Sequence, residues 1–417
     1  MYKLSSICVY SLKFVCIFVL SLILGTESYA QLGPVFTGLS AAAENASTAY
    51  SNPAGLTRLD NTEFVLQFTG LYSVSDFVLK EGTTVEGDGP EKNENFIYIP
   101  SLYFNKPVGE KLRLGFTFNV PGGIGSDYGD DDWAGRFSLQ ETTLFYLAFT
   151  PVVAYRVTDW LSLGGGISIT YVNYDTKAAI NNRFENISDG KIELEVDGWG
   201  VGFTLATLIE VSPRFRFGVV YRSESEPELK GKPEFKNIGP IRENILRSLG
   251  LLGAEVNSEM KTPQSLQAGL YYELNDNISF TLDGMWFNFE EFGAEQVSVG
   301  DNSIAVDTEF EDIWAFSVGT KYRLSEKWAV AAGFFYASEL STDENRTLGF
   351  PIADIWGTGI GFVRELTGKR RLHFNINYLG FGDAPIDTEV NNLSGRIAGE
   401  FDENYILGFD IAIVWGL

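Results

Sequence analysis

The chain has 417 residues but only two cysteines and one histidine. Both cysteines, Cys8 and Cys16, fall inside the first thirty residues, which read as a secretion signal. Lys3 and Lys13 supply the positive start, Phe14 to Leu24 the apolar core, and Ser28-Tyr29-Ala30 a small-x-small cleavage site. That core is too short to span a bilayer, and Cys16 sits in its middle rather than at the cleavage point, which argues against a lipoprotein. Cleavage after Ala30 would leave no cysteine, excluding disulfides and thiolate chemistry. One histidine cannot build a multi-histidine metal site, and a Ser-His-Asp hydrolase would have to use His373. Beyond the signal, no apolar run reaches the ~18 residues that a spanning helix needs. If this chain crosses a membrane, it does so with strands. Basic residues are also scarce: 31 Lys and Arg face 55 Asp and Glu, for a net charge of −24. That balance is hostile to nucleic acid and to simple adhesion on anionic lipid. No proline-rich or serine-rich linker and no break in composition divides the chain.

What the sequence does have is alternation. From Tyr405 to Leu417, every second residue is large and apolar: Tyr405, Leu407, Phe409, Ile411, Ile413, Trp415 and Leu417. Between them lie Gly408, Asp410, Ala412 and Gly416. A strand turns successive side chains to opposite faces, so one face is greasy and the other small or polar. The same code recurs in 161–171, 215–222, 266–272, 314–323 and 372–378.

Connections of two kinds separate these stretches. Six short turns fall at 109–111, 157–159, 212–214, 275–277, 325–327 and 367–369. Seven long polar segments fall at 77–94, 121–139, 175–190, 225–262, 290–311, 339–352 and 382–398. Together they join fourteen strands, with short turns at one end and long loops at the other, as in outer-membrane barrels. Trp160, Tyr322 and Trp328 stand beside short turns, where an interfacial aromatic girdle would lie. The expected fold is all-β, a 14-stranded antiparallel transmembrane barrel over 63–417. About eight strands are filled by their own side chains and sixteen to eighteen leave a channel, so fourteen would leak unless plugged. Residues 31–62 lack alternation and are rich in small residues, which makes them the candidate plug.

Several motifs resemble the FadL/TodX family of outer-membrane hydrophobic-compound transporters. The segment Gly38 to Leu56 is similar to the family's N-terminal hatch, with Asn52-Pro53-Ala54 at its signature. Gly198-Trp-Gly-Val-Gly-Phe203 and Val220-Tyr-Arg-Ser223 resemble its sixth and seventh strands. Thr262 to Leu266 resembles the entry to the eighth, and Gly349-Phe-Pro-Ile-Ala-Asp354 its late proline loop. The resemblance covers nearly all of the chain after the signal. It implies passive uptake of long-chain fatty acids or related compounds across a Gram-negative outer membrane. The implied route runs from a capture groove in the third and fourth surface loops to an interior pocket, then by hatch movement to lateral exit beside a kinked third strand. It also implies hydrophobic small molecules, outer-membrane lipids and lipopolysaccharide, and the barrel-assembly machinery as partners of a monomer, with no cofactor and no metal.

On that pattern, the third strand, Leu112 to Val120, meets its kink at Pro121, Gly122 and Gly123. Proline removes a ladder donor and glycine weakens pairing, although an ordinary loop start reads the same. Asn52-Pro53 could equally initiate a plain turn. In the fourth long loop, Pro240 to Gly253 places Ile241, Ile245, Leu249 and Leu252 at helical spacing. That apolar face could form the capture groove or pack over the barrel mouth. Burying a methylene stabilises by ~0.8 kcal/mol, so a fifteen-methylene tail offers roughly 12 kcal/mol before costs. One charge-assisted hydrogen bond adds about 1.5–3 kcal/mol. The apolar lining therefore decides whether a ligand binds, and a cation only which head group is preferred. Arg222, inward on its strand, is the head-group candidate. The competing reading pairs it with a wall acid such as Asp283 or Asp410. Asp127, Asp130, Asp131 and Asp132 read as a solvated acidic loop rather than a cation site. Gly164-Gly165-Gly166 is no phosphate loop, since no Gly-Lys-Ser/Thr follows. Two other functions remain open: a diffusion porin for polar solutes, and a phospholipase-like enzyme built on His373, whose alternation points it inward.

Overall fold

A computed structural model describes residues 34–89, 93–129, 132–300, 302–305, 310–391 and 395–417. The signal-like residues 1–30 lie outside this set, as do Asp130 and Asp131. Fourteen wall strands, numbered here in chain order, run antiparallel around a closed barrel. The first seven are Glu63–Leu79, Asn93–Val108, a third in two pieces (Leu112–Asn119 and Gly123–Asp127), Glu141–Arg156, Leu161–Ile180, Gly190–Ser212 and Phe215–Arg222. The rest are Ser265–Glu273, Ile278–Phe287, Ile313–Arg323, Trp328–Ala337, Ile355–Glu365, Arg370–Gly380 and Gly395–Gly416. The last strand closes the wall on the first, from Glu63 opposite Gly416 to Leu79 opposite Gly399, with a bulge after Asp76.

The period-two pattern sets which side chains meet lipid. In the tenth strand, Trp314, Phe316 and Val318 are about half exposed, while Ala315 and Ser317 are buried toward the lumen. In the fourteenth, Phe409 and Ile411 face out and Asp410, Ala412 and Val414 face in. All six short turns form where the sequence places them. The long segments are more structured than plain loops. The fifth and sixth strands pair as far as Ile180 opposite Gly190, because Ala178, Ile180, Ile192 and Leu194 bury one another in an apolar cluster. The segment after the seventh strand contributes Glu228–Lys236 and Val256–Lys261, and Gly293–Val299 pairs with the latter, so a small sheet extends the wall at the long-loop end.

The N-terminal segment sits in the lumen. It is built from two short 3-10 turns, Pro34–Phe36 and Pro53–Arg58, and one helical turn, Thr48–Ser51. Its contacts run around the wall. Asp283 of the ninth strand accepts from the backbone nitrogens of Gly38 and Ser40, both at 2.8 Å. Ser317 of the tenth donates to Phe36 O, Asn377 of the thirteenth accepts from Val35 N, and Thr57 meets Ser162 of the fifth at 2.7 Å. Arg216 of the seventh donates to Ala41 O and Ala42 O.

Asn52 is the keystone of the segment. Its side chain accepts from Ala54 N, capping the second 3-10 turn, and donates to Ser40 O and to Thr207 O on the sixth strand. The wall is cut to receive it. A Cβ on Gly164 would lie 2.6 Å from the Pro53 carbonyl carbon, and one on Gly218 would lie 2.8 Å from Asn52 Nδ2. Gly218→Val therefore unseats the segment. Overpacking of this kind costs about 1–3 kcal/mol. In planar bilayers the variant is expected to leak current that wild type does not, with barrel assembly intact by heat-modifiable gel mobility. An equally silent variant would show that the fit of Asn52 to the wall is dispensable.

Candidate functional site

The wall has one discontinuity that the sequence marks. Leu112–Phe118 pairs with both neighbours and Asn119 with the fourth strand, but the chain breaks at Val120-Pro121-Gly122. Strand resumes at Gly123, where it pairs with the fourth strand alone. The facing part of the second strand, Asn93 to Ser101, pairs with the first strand alone. A gap results, bounded on one side by the pair Leu102–Phe118. At the long-loop end, the Asn93 carboxamide closes it, with its nitrogen 3.2 Å from Asp127 O and its oxygen 3.3 Å from Asp127 N. A cavity of about 430 Å³ occupies the gap, lined by Ile97, Tyr98, Ile99, Val120, Gly123 and Phe145 among others. Open pairing in a bilayer is costly because no water replaces the lost partners. The break lies at the proline, where the ladder lacks a donor in any case.

Inside the wall, directly behind this break, lies a second cavity of about 140 Å³. Tyr50 of the N-terminal segment, Pro121, Gly122, Tyr146, Arg222 and Ser225 are among its lining residues. Gly122 lines both cavities, so three residues, Val120 to Gly122, form the partition between lumen and gap.

Arg222 does face the lumen. Its guanidinium donates to Tyr50 O at 2.9 Å and to Gln267 Oε1, and lies 4.9 Å over the Tyr50 ring. Pairing with Asp283 or Asp410 is not what forms. Asp283 is spent on the backbone of the N-terminal segment, and Asp410 accepts from Thr69 Oγ1 at 2.5 Å and Asn377 Nδ2 at 2.9 Å. Strand register decides this, since Asp410 stands opposite Thr69 and Asn375 and Asp283 opposite Gly269 and Ser317. Among the described residues, no carboxylate lies within ion-pair distance of Arg222.

In the fourth long loop the helix forms over Pro240–Ser248, but its buried face is rotated from the expected one. Leu246 and Leu251 are buried, Leu249 and Leu252 pack half-buried against the same cluster, Ile245 is half-buried, and Ile241 is 53% exposed. The cause lies in the facing loop. Glu185 accepts from the backbone nitrogens of Ile241 and Arg242, both at 3.1 Å, placing a carboxylate at the positive end of the helix. Arg242 then reaches Asn181 O at 2.6 Å and covers the Phe184 ring at 5.3 Å. Those contacts turn Ile241 outward. Phe184 and Ile187 of the facing loop are also exposed.

A charged cluster ties the N-terminal segment to the wall. Lys321 meets Glu44 at 2.7 Å, and Arg371 donates to Glu44 O and pairs with Glu63. His373 is buried beside Glu44 on the inner face, away from the lipid side a lipid hydrolase would need. Of the acidic loop, Asp127 turns back to accept from Gly129 N, and Asp132 is exposed.

A closed fourteen-stranded barrel with a lipid-facing apolar belt, its lumen filled by an N-terminal segment, defines a membrane transport barrel of the outer-membrane kind. Comparison with known proteins makes this specific. A family model described as outer membrane protein transport protein (OMPP1/FadL/TodX) matches residues 21–410, and the chain belongs to that family. It is an outer-membrane protein of a transporter family rather than an enzyme. A long-chain fatty acid transport protein of Escherichia coli is 23% identical over 403 residues, covering 88% of this chain and 85% of that one. Outer membrane protein P1 of Haemophilus influenzae is 22% identical over 401 residues, covering 85% of each. Among solved structures, a Pseudomonas aeruginosa FadL homologue superposes with a TM-score of 0.83 at 17% identity, over 95% of this chain and 99% of that one. The Pseudomonas putida toluene transporter TodX gives 0.65 at 13% identity, over 89% and 94%.

The Glu44–Lys321 contact carries a pH signature. Burial alone would raise the Glu44 carboxyl, yet Lys321, by charge and by hydrogen bond, together with His373 and Arg371 outweighs it and holds the group down at about 2. A depressed carboxylate stabilises above its unfolded value, about 4.3, and that stabilisation is lost as pH falls through the folded one. Wild-type barrels should therefore stay electrically silent from neutral pH to about 4 and begin to leak on approach to 2. Glu44→Gln should leak already at neutral pH. A pH-independent wild type, or a silent variant, would contradict this role.

Proposed function

We propose that the chain carries long-chain fatty acids or related hydrophobic compounds passively across the outer membrane. The observation that carries this reading is the shared Gly122. The lumen cavity and the wall gap stand back to back across Val120-Pro121-Gly122, so a small displacement of that segment joins lumen to bilayer. In this reading residues 1–30 are a cleaved signal and 31–62 act as a hatch carrying Asn52, Pro53 and Ala54. Exposed Ile241, with Phe184 and Ile187, offers first contact, and Ile245, Leu249 and Leu252 continue that loop inward. Arg222 meets a polar head group in the lumen, and Pro121, Gly122 and Gly123 give the exit. The barrel works as a monomer among membrane lipids and lipopolysaccharide after insertion by the assembly machinery. Toluene and fatty-acid transport by relatives supports the class of cargo.

Conductance separates this from a diffusion porin. Wild type should be silent in planar bilayers, and a chain lacking residues 31–62 should conduct. A steady open-pore current from wild type would favour the porin. Lateral exit has its own test. Gly122→Val with Gly123→Val is the obvious block, but a Cβ on Gly123 meets Leu144 O at 2.9 Å and would strain the ladder. Gly125 is cleaner, because a Cβ there meets only Ile97 Cδ1, at an ordinary 3.7 Å. Gly125→Leu should fill the gap and cut fatty acid uptake several-fold at normal barrel yield. Undiminished uptake would refute exit at this place.

A further inference from the structure

We infer that the wall has a second lateral opening, between the sixth and seventh strands, through which uncharged lipophiles pass between the lumen cavity and the outer leaflet. This rests on the uptake reading above and adds a route to it.

The sixth strand loses its partner on one side over Gly198 to Gly202. Toward the short turns, Thr204 stands opposite Arg222 of the seventh strand. Toward the long loops, Asp197 stands opposite Lys230 of Glu228–Lys236. Between those limits Gly198 to Gly202 pairs with the fifth strand alone. The segment that would complete the ladder, 223–227, bends inward instead. Ser223 N still donates to Phe203 O, and Ser223 Oγ accepts from Phe203 N. Past that point the bonds run the other way. Ser225 N donates to Thr262 Oγ1 at 2.9 Å, Thr262 N to Ser225 O at 2.8 Å, and Met260 N to Pro227 O at 3.1 Å. Pro227 has no N–H to return to the sixth strand. The glycines make room for this path on the inner face. A Cβ on Gly198 would collide with Glu228 O, and one on Gly200 would lie 3.1 Å from Pro227 Cδ. Residues 223–227 thus form a flap that is bonded along one edge and only laid over the other.

The flap separates two cavities. Ser223 and Ser225 line the lumen cavity together with Gly202. Ser225 also lines an outer cavity of about 900 Å³, whose walls include Trp199, Gly200 and Val201. One residue therefore stands between lumen and exterior, as Gly122 does at the third strand. The two breaks are level: Leu112–Asn119 and Phe215–Arg222 each run 8 residues from a short turn before the wall parts. Trp199 marks the depth. On the outward face Val201, Phe203 and Leu205 are exposed to lipid on one side of it, and Glu195 and Asp197 are exposed on the other. Its ring packs on Tyr171 at 5.1 Å, as in an interfacial girdle. Open backbone at membrane depth is tolerated where it lines a cavity, and this edge meets acyl chains below Trp199 and head groups above it.

The rim decides what passes. Asp197, Glu224, Glu226 and Glu228 line the outer cavity against one cation, Lys230, which lies 3.2 Å from Glu228. The gap at the third strand is lined by two carboxylates, Asp127 and Glu141, and Lys177 pairs with the latter. Exposed charges act over about 8 Å at physiological ionic strength. Carboxylates gathered on one cavity therefore repel an anionic head group and leave an uncharged one unhindered. The two openings sort cargo by charge, anionic lipophiles at the third strand and uncharged ones at the seventh.

The test compares palmitate with 1-hexadecanol, which share a chain and differ in head-group charge. Uptake is read in cells carrying the full chain, with cells lacking it as background. When Gly125→Leu fills the third-strand gap, palmitate uptake should fall several-fold while hexadecanol keeps at least half its wild-type rate. Adding Gly200→Cys with Ser225→Cys allows a lock, because a Cβ on Gly200 touches Ser225 Oγ and two cysteines there are within reach of a disulfide. Beyond residue 30 the chain has no cysteine to compete. Oxidation, followed by thiol titration, should cut hexadecanol uptake several-fold, and reduction should restore it. Glu224→Gln with Glu226→Gln, again beside Gly125→Leu, should return palmitate uptake toward the wild-type rate. Heat-modifiable mobility confirms that each variant forms the barrel. Equal hexadecanol uptake by the oxidised and reduced lock would overturn the opening, and palmitate uptake still depressed after the rim is neutralised would overturn its charge selection. If wild type takes up both probes and Gly125→Leu stops both, the second opening fails and the uptake reading stands. If wild type takes up neither above background, the uptake reading fails with it.

Discussion

Backbone hydrogen bonding in a solvent without water is the constraint on which this molecule depends. Hydrocarbon offers nothing to an unpaired amide, so the wall must close on itself. Closure is why the terminal strand runs Gly395–Gly416 and meets the first strand along nearly its whole length, well beyond what packing alone would ask. The same constraint gives the third strand its meaning. A wall that cannot tolerate loose pairing nevertheless parts between Asn93–Ser101 and Gly123–Asp127, and a side chain, Asn93, supplies the bridge at the far end. Pro121 settles where the ladder fails, because it has no N–H to offer.

Closure creates the second problem, a lumen too wide for wall side chains to fill. The solution pairs an N-terminal segment rich in small residues with a wall that omits side chains where that segment touches it. Gly164 and Gly218 accept the turn around Asn52 and Pro53, and Gly319 and Gly333 accept Thr37. Around these bare patches stand polar anchors, Asp283, Arg216, Lys321 and Arg371, each holding backbone or Glu44. Main chain packed against main chain leaves no slack, and the anchors fix orientation. Toward the long-loop end the interior changes character, and one apolar cluster runs from Val35 and Leu39 of this segment up to Leu246 and Leu251 of the loop helix. The segment thus forms the floor of an apolar chamber.

Much of this is legible in the chain. Alternation in 405–417, 314–323 and 372–378 places the lipid face residue by residue, since a strand's period is two and a one-residue slip would invert it. Short turns are equally readable. The continuation of the fifth strand from Asp175 to Ile180 is not, because Asp175, Thr176 and Lys177 read as the start of a polar loop although the strand pairs through them. The loop helix shows a different limit. Helical spacing admits faces through Ile241 and Ile245 or through Leu246 and Leu249, and the choice was made by Glu185, more than fifty residues earlier. Arg222 is a third kind. Its inward direction follows from the pattern, but its contact with Tyr50 depends on how the N-terminal segment folds.

The gap also answers a thermodynamic question that an open pore would not. A lipophile released to water from a dry chamber gives back about 0.8 kcal/mol for each methylene. Fifteen methylenes make that roughly 12 kcal/mol, a barrier that no single contact could offset. Sideways release into the bilayer keeps the tail in an apolar medium throughout. Only the head group then changes surroundings, and in the proposed uptake route its cost is met within the barrel by Arg222 until the aqueous interface takes over. For this class of cargo, a plugged lumen with a leaky wall is therefore the lower path, and under the proposed function the plug and the gap are two parts of one solution: the first would deny the route through water, and the second would supply the route through lipid.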